Sequence, residues 1–377
     1  MSERPGVDPS GTNVNRSMRD PNELRRRLQA WLSTKVDDPD VGDVQPPQGN
    51  GMSSDTVLFN ASWRHDGTRR RQACAARLAP PAGAAAQFPV YDLEKQFRVI
   101  RLVGARSTVP VPPTMWLETD PEALGAPFFV MERVEGVVPP DVMPYPMGSW
   151  LSEAAPVDQR RLQDASVRVL ADLHAIELAP EEAAFLHYDL PGDTPLRRHV
   201  AELHAYYRWV ASDGVRSPLI ERALGWLDEH WPTDTGDAVV SWGDARIGNI
   251  VFRDFEPVAV LDWEMVGMGP RELDLAWMIF LHRFLDDIAL QAGLPGMPGF
   301  MRMDDVAATY EHASGYTPRD LEWFTVYAAV RHAAIMSRIA RRQAAIGEAP
   351  LPDDPDDTIM HRATLESMLA GTYWRRF

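Results

Sequence analysis

The stretch that most constrains this chain of 377 residues is 239–276, VVSWGDARIGNIVFRDFEPVAVLDWEMVGMGPRELDLA. Two short apolar runs, 250–252 and 258–261, flank a polar span at 253–257, which predicts a β-hairpin with its turn there. Residues 239 and 240 predict the end of another short strand, and Trp242-Gly243-Asp244 opens a loop. A hairpin folds its two ends together. Asn249 stands just before the first hairpin strand, five residues after Asp244, and Asp262 follows directly on the second strand. The topology therefore brings two carboxylates and one amide oxygen toward one point. Carboxylates set that close repel each other unless a cation or a proton lies between them.

Hard oxygen ligands on short connections suit Mg²⁺, which keeps several waters and takes other ligands from phosphate. A divalent metal with a bound nucleotide meets the electrostatic need. The order Asp-x4-Asn, strand, turn, strand, Asp also matches the catalytic loop and metal-binding aspartate of protein kinases.

The rest of the chain divides into a mixed part and a helical part. Residues 1–20 read as a loose polar tail. Leu24, Leu28, Trp31 and Leu32 recur at helical spacing within 21–34, and 45–54 (QPPQGNGMSS) reads as a loop. Val57, Phe59, Ala61 and Trp63 alternate as in a strand, Asp66-Gly67 is a tight-turn pair, and a return strand is predicted around 72–78. A helix over 91–104 and a short buried strand over 126–134 follow. Four prolines in 135–149 place a lobe boundary there, giving a first lobe over 21–134 and a second over 135–377. Helices are predicted over 161–177, 196–211, 218–230, 272–285 and 320–346, and 353–357 (DDPDD) reads as a solvated acidic loop.

WGDARIGN…LDWE…DLAW resembles the aminoglycoside phosphotransferase family, a kinase-like group whose motif is HGD-x4-N…DWE…DLA. YDLEKQFRVIRLVG and PFFVMERVEG are similar to the helix and the hinge strand of that family's smaller lobe. The resemblance spans about residues 25–345. It implies an α+β, two-lobed protein-kinase-like fold, with a small antiparallel-sheet lobe over a larger, mainly helical one. It also implies transfer of phosphate from ATP, with Mg²⁺, to a hydroxyl of a small molecule. Asp244 would take the hydroxyl proton, and Asn249 and Asp262 would hold the metal. Arg246 would either face the γ-phosphate or pair with an acid. Asp274 would brace the catalytic loop. In the small lobe, Gly49, Asn50, Gly51, Ser53 and Ser54 would cover the phosphates, and Met131, Glu132 and Val134 would meet adenine through the backbone.

Two positions depart from the family. Arg77 stands where a lysine is expected, and Arg is longer, planar and bidentate. Its acidic partner should come from the 91–104 helix, where Glu94 is a candidate and Gln96 occupies the other possible register. Trp242 replaces the usual histidine. VEGVVPP and GMGPRELDLAW look closer to kinase-like domains fused to acyl-CoA dehydrogenases, which implies hydroxyacyl-CoA thioesters as alternative acceptors. A nucleotide-binding protein that no longer transfers phosphate is the remaining alternative.

Composition bounds the partners. With 38 Lys+Arg against 54 Asp+Glu the net charge is −16, which disfavours nucleic acid and anionic membranes. A single cysteine, Cys74, excludes an internal disulfide and a multi-cysteine zinc site. The polar start lacks an apolar signal core, so a cytoplasmic protein is expected. The histidines lack zinc-ligand spacing, and His174 reads as a packed residue.

Overall fold

The computed structural model describes residues 20–45, 55–80, 86–141 and 143–374. Helix α1 (Pro21–Leu32) starts where Asp20 accepts a hydrogen bond from the Asn22 N–H at 3.0 Å, with proline at its first position. It buries Leu24, Leu28, Trp31 and Leu32. Strands β1 (Asp37–Val41), β2 (Asp55–His65), β3 (Thr68–Leu78), β4 (Thr114–Glu118) and β5 (Phe128–Glu132), with helix α2 (Leu93–Arg106) between β3 and β4, complete the small lobe. The sheet order is β1-β2-β3-β5-β4, and every pairing is antiparallel. Asp66 (φ 50°) and Gly67 (φ 75°) make the tight turn between β2 and β3 and set the register His65 opposite Thr68. The sequence pattern did not indicate β1: DDPDV is rich in residues that strands avoid, and it is tolerated at the sheet edge.

Strand parity sorts the sheet into two faces. Cys74, Ala76, Leu78, Phe128 and Val130 pack with Leu24, Leu28 and Trp31 of α1. Ala75, Phe129 and Met131 face the other way and pack with Phe97 and Ile100 of α2. Arg77 pairs in register with Phe129, so it lies on this second face, toward the larger lobe.

The larger lobe contains α3 (Pro156–His174), α4 (Pro180–Ala183), α5 (Pro195–Val210), α6 (Pro218–Glu229), α7 (Glu272–Gln291), α8 (Met303–Ser314), α9 (Leu321–Ala345) and α10 (Arg362–Leu369). Between α6 and α7 lie β6 (Val239–Ser241), β7 (Ile250–Arg253), β8 (Glu256–Val260) and β9 (Gly267–Gly269). The expected hairpin is β7–β8, tighter than its predicted turn: Asp254 and Phe255, with φ of 51° and 62°, join Arg253 directly opposite Glu256. β6 pairs with β9, which closes the ends of the motif stretch. Helix α3 begins at Pro156, five residues before its predicted start, because proline suits a first helical position. The acidic segment 353–357 is not wholly solvated. Asp356 is buried in a short 3₁₀ turn and accepts from the Ser217 hydroxyl at 2.5 Å and the Leu219 N–H at 3.2 Å, capping α6. No helix among the described residues is long and apolar enough to cross a membrane.

Candidate active site

The loop after β6 is held from below by one buried carboxylate. Asp274, in the first turn of α7, accepts from the Ser241 hydroxyl at 2.9 Å, the Trp242 N–H at 2.7 Å and the Gly243 N–H at 2.8 Å. His174 Nε2 meets the same carboxylate at 3.0 Å, and its Nδ1 meets the Tyr310 hydroxyl at 2.8 Å. Gly243 has φ 88°, and a Cβ there would lie 2.2 Å from the Met265 carbonyl oxygen, so only glycine fits. Trp242 is fully buried, and its indole N–H donates to the carbonyl oxygens of Leu261 (2.9 Å) and Asp262 (3.1 Å). Asp262 itself has φ 59°, a conformation that a non-glycine residue holds only when its surroundings impose it. The tryptophan that departs from the family pattern is therefore a support for the strained aspartate.

Asp244 is oriented by three donors. Trp277 Nε1 donates to Oδ1 at 2.7 Å, Asn249 Nδ2 to Oδ2 at 2.7 Å and Arg246 Nε to Oδ2 at 3.2 Å. Trp277 was not among the sequence candidates. Its signal was the last letter of DLAW, three residues after Asp274 and so on the same side of the helix. Asn249 Nδ2 also donates to the Asp244 carbonyl at 3.1 Å, and the Leu261 N–H donates to the Asn249 carbonyl at 2.9 Å. These bonds tie the loop to the segment that runs from β8 into Asp262. Asp244 and Asp262 line one cavity, as the hairpin topology required.

Arg246 lies in the cleft beside Asp244 and pairs with an acid, Asp141. Burial works against its charge, but the Asp244 and Asp141 carboxylates outweigh that and push its pKa above the usual arginine value. Arg77 reaches across the lobes, its Nη2 2.6 Å from Asp262 Oδ1 and 3.2 Å from Glu264 Oε2. Burial again opposes the charge, and the two carboxylates again overcome it. This corrects the expected pairing. Glu94 is exposed on α2 and Gln96 is buried but uncharged, so the partners are the aspartate and the glutamate of LDWE, reached because arginine is long enough to span the cleft.

The donor set fits Mg²⁺ bound with phosphate. Asn249 commits its amide nitrogen to Asp244, which leaves its Oδ1 as the face for a cation, and Asp262 contributes a carboxylate. Among the described residues no three His, Cys, Asp or Glu side chains are grouped to hold a metal without other ligands. An ion that draws its remaining ligands from phosphate and water suits such a pair. On the small-lobe side, the Glu132 and Arg133 N–H groups are already given to the Pro113 carbonyl (2.9 Å) and the Ala73 carbonyl (2.9 Å). The expected backbone contact to adenine narrows to the other groups of the segment Met131 to Val134. Gly49, Asn50, Gly51, Ser53 and Ser54 lie outside the described residues.

A cavity of about 530 Å³ opens beside Asp244. Its charged end carries Asp141, Asp244, Arg246, Asp262 and Glu264. The remainder runs between α7 and α9 and is lined by Met278, Leu281, Phe284, Leu285, Ile288, Ile335, Met336 and Ile339, among others. The acids at the mouth are paired with Arg77 and Arg246, so the wall beyond them is largely apolar.

Comparison with known proteins agrees with this geometry. The chain is 26% identical over 309 residues to the probable acyl-CoA dehydrogenase IBR3 of Arabidopsis thaliana, covering 78% of this chain and 36% of that protein. The match thus spans only about a third of that relative's length. A solved structure from Ralstonia eutropha JMP134, named for the aminoglycoside phosphotransferases, superposes with a TM-score of 0.61 at 22% identity, over 93% of this chain and 98% of that one. A thermostable aminoglycoside phosphotransferase APH(4)-Ia variant in ternary complex with AMP-PNP and hygromycin B gives 0.54 at 14% identity, over 92% and 98%. These similarities establish the two-lobed kinase-like fold. Residues 49–324 match the model of the phosphotransferase enzyme family, APH, and the chain belongs to that family.

Proposed function

We propose that this protein transfers the γ-phosphoryl group of ATP, with Mg²⁺, to a hydroxyl of a small molecule. The observation that carries the reading is that Asp244 and Asp262 line one cavity, with Asn249 bonded to Asp244 and Arg77 bridging from the small lobe to Asp262. Asp244, fixed by Trp277 and Asn249, accepts the proton of the acceptor hydroxyl as its oxygen attacks the γ-phosphorus and ADP departs. Asn249 and Asp262 hold Mg²⁺, which supplies neutralisation of phosphate charge. Arg246 adds a fixed cation beside the reacting group, and Arg77 grips phosphate by its guanidinium. Gly49, Asn50, Gly51, Ser53 and Ser54 cover the phosphates, and Met131, Glu132 and Val134 border the adenine. The AMP-PNP held by the APH(4)-Ia neighbour supports a nucleotide in this cleft.

A second reading of the acceptor is favoured by the cavity. A polycationic aminoglycoside needs unpaired carboxylates, whereas here the acids at the mouth are paired with arginines and the walls are Met, Leu, Ile and Phe. An apolar chain bearing a hydroxyl, as in a hydroxyacyl thioester, suits such walls. Similarity to an acyl-CoA dehydrogenase relative points the same way. With purified protein and Mg·ATP, ADP release is expected on hydroxyacyl-CoA thioesters and not on kanamycin. Turnover confined to kanamycin would reverse the choice, and no acceptor-dependent ADP release from either would favour a nucleotide-binding protein without transfer activity.

A further inference from the structure

The apolar cavity contains one polar group that the transfer chemistry does not use. His332 on α9 lines it, is only 7% exposed, and heads the stripe that continues through Ile335, Met336 and Ile339. Its ring packs among Phe284 (centroids 4.6 Å apart), Phe280 (5.6 Å) and Trp277 (6.3 Å). Trp277 is the residue that donates to Asp244. His332 therefore borders the charged end.

A chain of hydrogen bonds assigns its tautomer. His361 Nε2 lies 2.9 Å from the Ala329 carbonyl oxygen, which can only accept, so Nε2 carries the proton. Burial holds His361 neutral, with its pKa lowered to about 4, so its Nδ1 is bare. His332 Nδ1 lies 3.4 Å from that bare nitrogen and must supply the hydrogen. Burial, with His361 and the Arg246 charge, also keeps His332 neutral. Its Nε2 is then an unprotonated acceptor, and among the described residues no donor is bonded to it. Because His332 lines the cavity, a ligand that brings a donor there can supply the hydrogen bond that no described residue makes to Nε2.

We propose that His332 is a specificity-determining residue of the acceptor site, its Nε2 taking a hydrogen bond from a second donor, a hydroxyl or an amide N–H, on an otherwise apolar acceptor. The inference deepens the phosphotransfer reading and rests on it for the identity of the cavity as the acceptor site. It sets two requirements for an acceptor: an apolar skeleton for the methionine and leucine wall, and an uncharged donor besides the hydroxyl that is phosphorylated. A protonated amine meets a neutral nitrogen here but also the Arg246 charge beyond it, so cationic acceptors are disfavoured.

The test is direct binding, independent of turnover. Calorimetry on the full chain compares octane-1,3-diol with octan-1-ol. The wild type is expected to bind the diol about tenfold more tightly, the worth of one neutral hydrogen bond. His332→Phe, which keeps a ring and removes the acceptor, should erase the preference, and His332→Gln, whose carbonyl oxygen accepts, should keep most of it. In the wild type labelled with ¹⁵N-histidine, the diol should shift the His332 Nε2 resonance upfield and octan-1-ol should not. This measurement stands even if a variant fails to fold. A preference that survives in His332→Phe, absence of binding by either alcohol, or an unmoved Nε2 resonance overturns the proposal. A His332-dependent preference in a protein that never releases ADP would instead sink the phosphotransfer reading and leave the subsite standing.

Discussion

Asp244→Ala is expected to lower kcat by about a thousandfold while leaving Mg·ATP affinity within a few-fold of the wild type. The split follows from the geometry. Asp244 lies at the cavity mouth, where a hydroxyl would enter, whereas the nucleotide is assigned to Asn249, Asp262, Arg77 and the small lobe. The substitution also leaves the Trp277 and Asn249 donors without their acceptor, so a stability loss of about 1–3 kcal/mol accompanies it. Asp244→Asn separates the two effects. The amide keeps one oxygen for Trp277 or Asn249 but cannot take a proton at neutral pH, so it should be as inactive as alanine and more stable. ADP release with a working acceptor measures kcat, and calorimetry with AMP-PNP measures affinity. Retention of most activity by either variant contradicts the role given to Asp244.

Acidification from pH 7 to pH 5 should destabilise the fold steeply, because four buried histidines are held neutral. Burial, opposed only partly by a backbone hydrogen bond, lowers His199 to about 3 and His361 to about 4. His282, buried beside Arg283, and His332, buried beside His361 and Arg246, are pushed well below the usual imidazole value. A depressed histidine binds its proton in the unfolded chain before it does so in the folded one. Stability is therefore complete above the unfolded value near 6.5 and falls as pH drops toward the folded values. At pH 5 His199 and His361 cost about 2 kcal/mol each, and His282 and His332 add in the same direction. Glu202, Glu272 and Asp286, whose pKa values burial raises, act in the opposite sense and reduce the total. The thermal midpoint should fall by about 10 °C between pH 7 and pH 5 at constant ionic strength. His361→Gln should flatten the slope by roughly a quarter. A midpoint that stays level across this range would show that these imidazoles are not buried uncharged groups.

The motif stretch was legible because its information is local. The strand–turn–strand pattern at 250–261 specifies a hairpin, and a hairpin by itself brings Asn249 and Asp262 to the same end, where Asn249 bonds Asp244. Trp242, Asp274 and Gly243 then find their partners within the same stretch. What the sequence hid depends on contacts between distant segments. Strand parity set Arg77 on the inner face, but its ion pair with Glu264 crosses 187 residues of chain, and nothing near Arg77 announces it. Asp141, 105 residues before Arg246, lies in a proline-rich segment with no period to read. Asp356 sits in an acidic run that composition marks as solvated, yet it caps a helix 137 residues earlier. β1 escaped because an edge strand tolerates residues that ordinary strands exclude. The apolar cavity arises from two helices whose lining residues each look like ordinary core.

The most direct test of the account is calorimetry of AMP-PNP binding, with and without Mg²⁺, to the wild type and to Asp262→Ala. The account predicts one tight, Mg²⁺-dependent site in the wild type. It predicts that Asp262→Ala loses most of the Mg²⁺ enhancement while the metal-free affinity changes little. Equal affinities with and without Mg²⁺ in the wild type, or an enhancement that survives intact in Asp262→Ala, would contradict it.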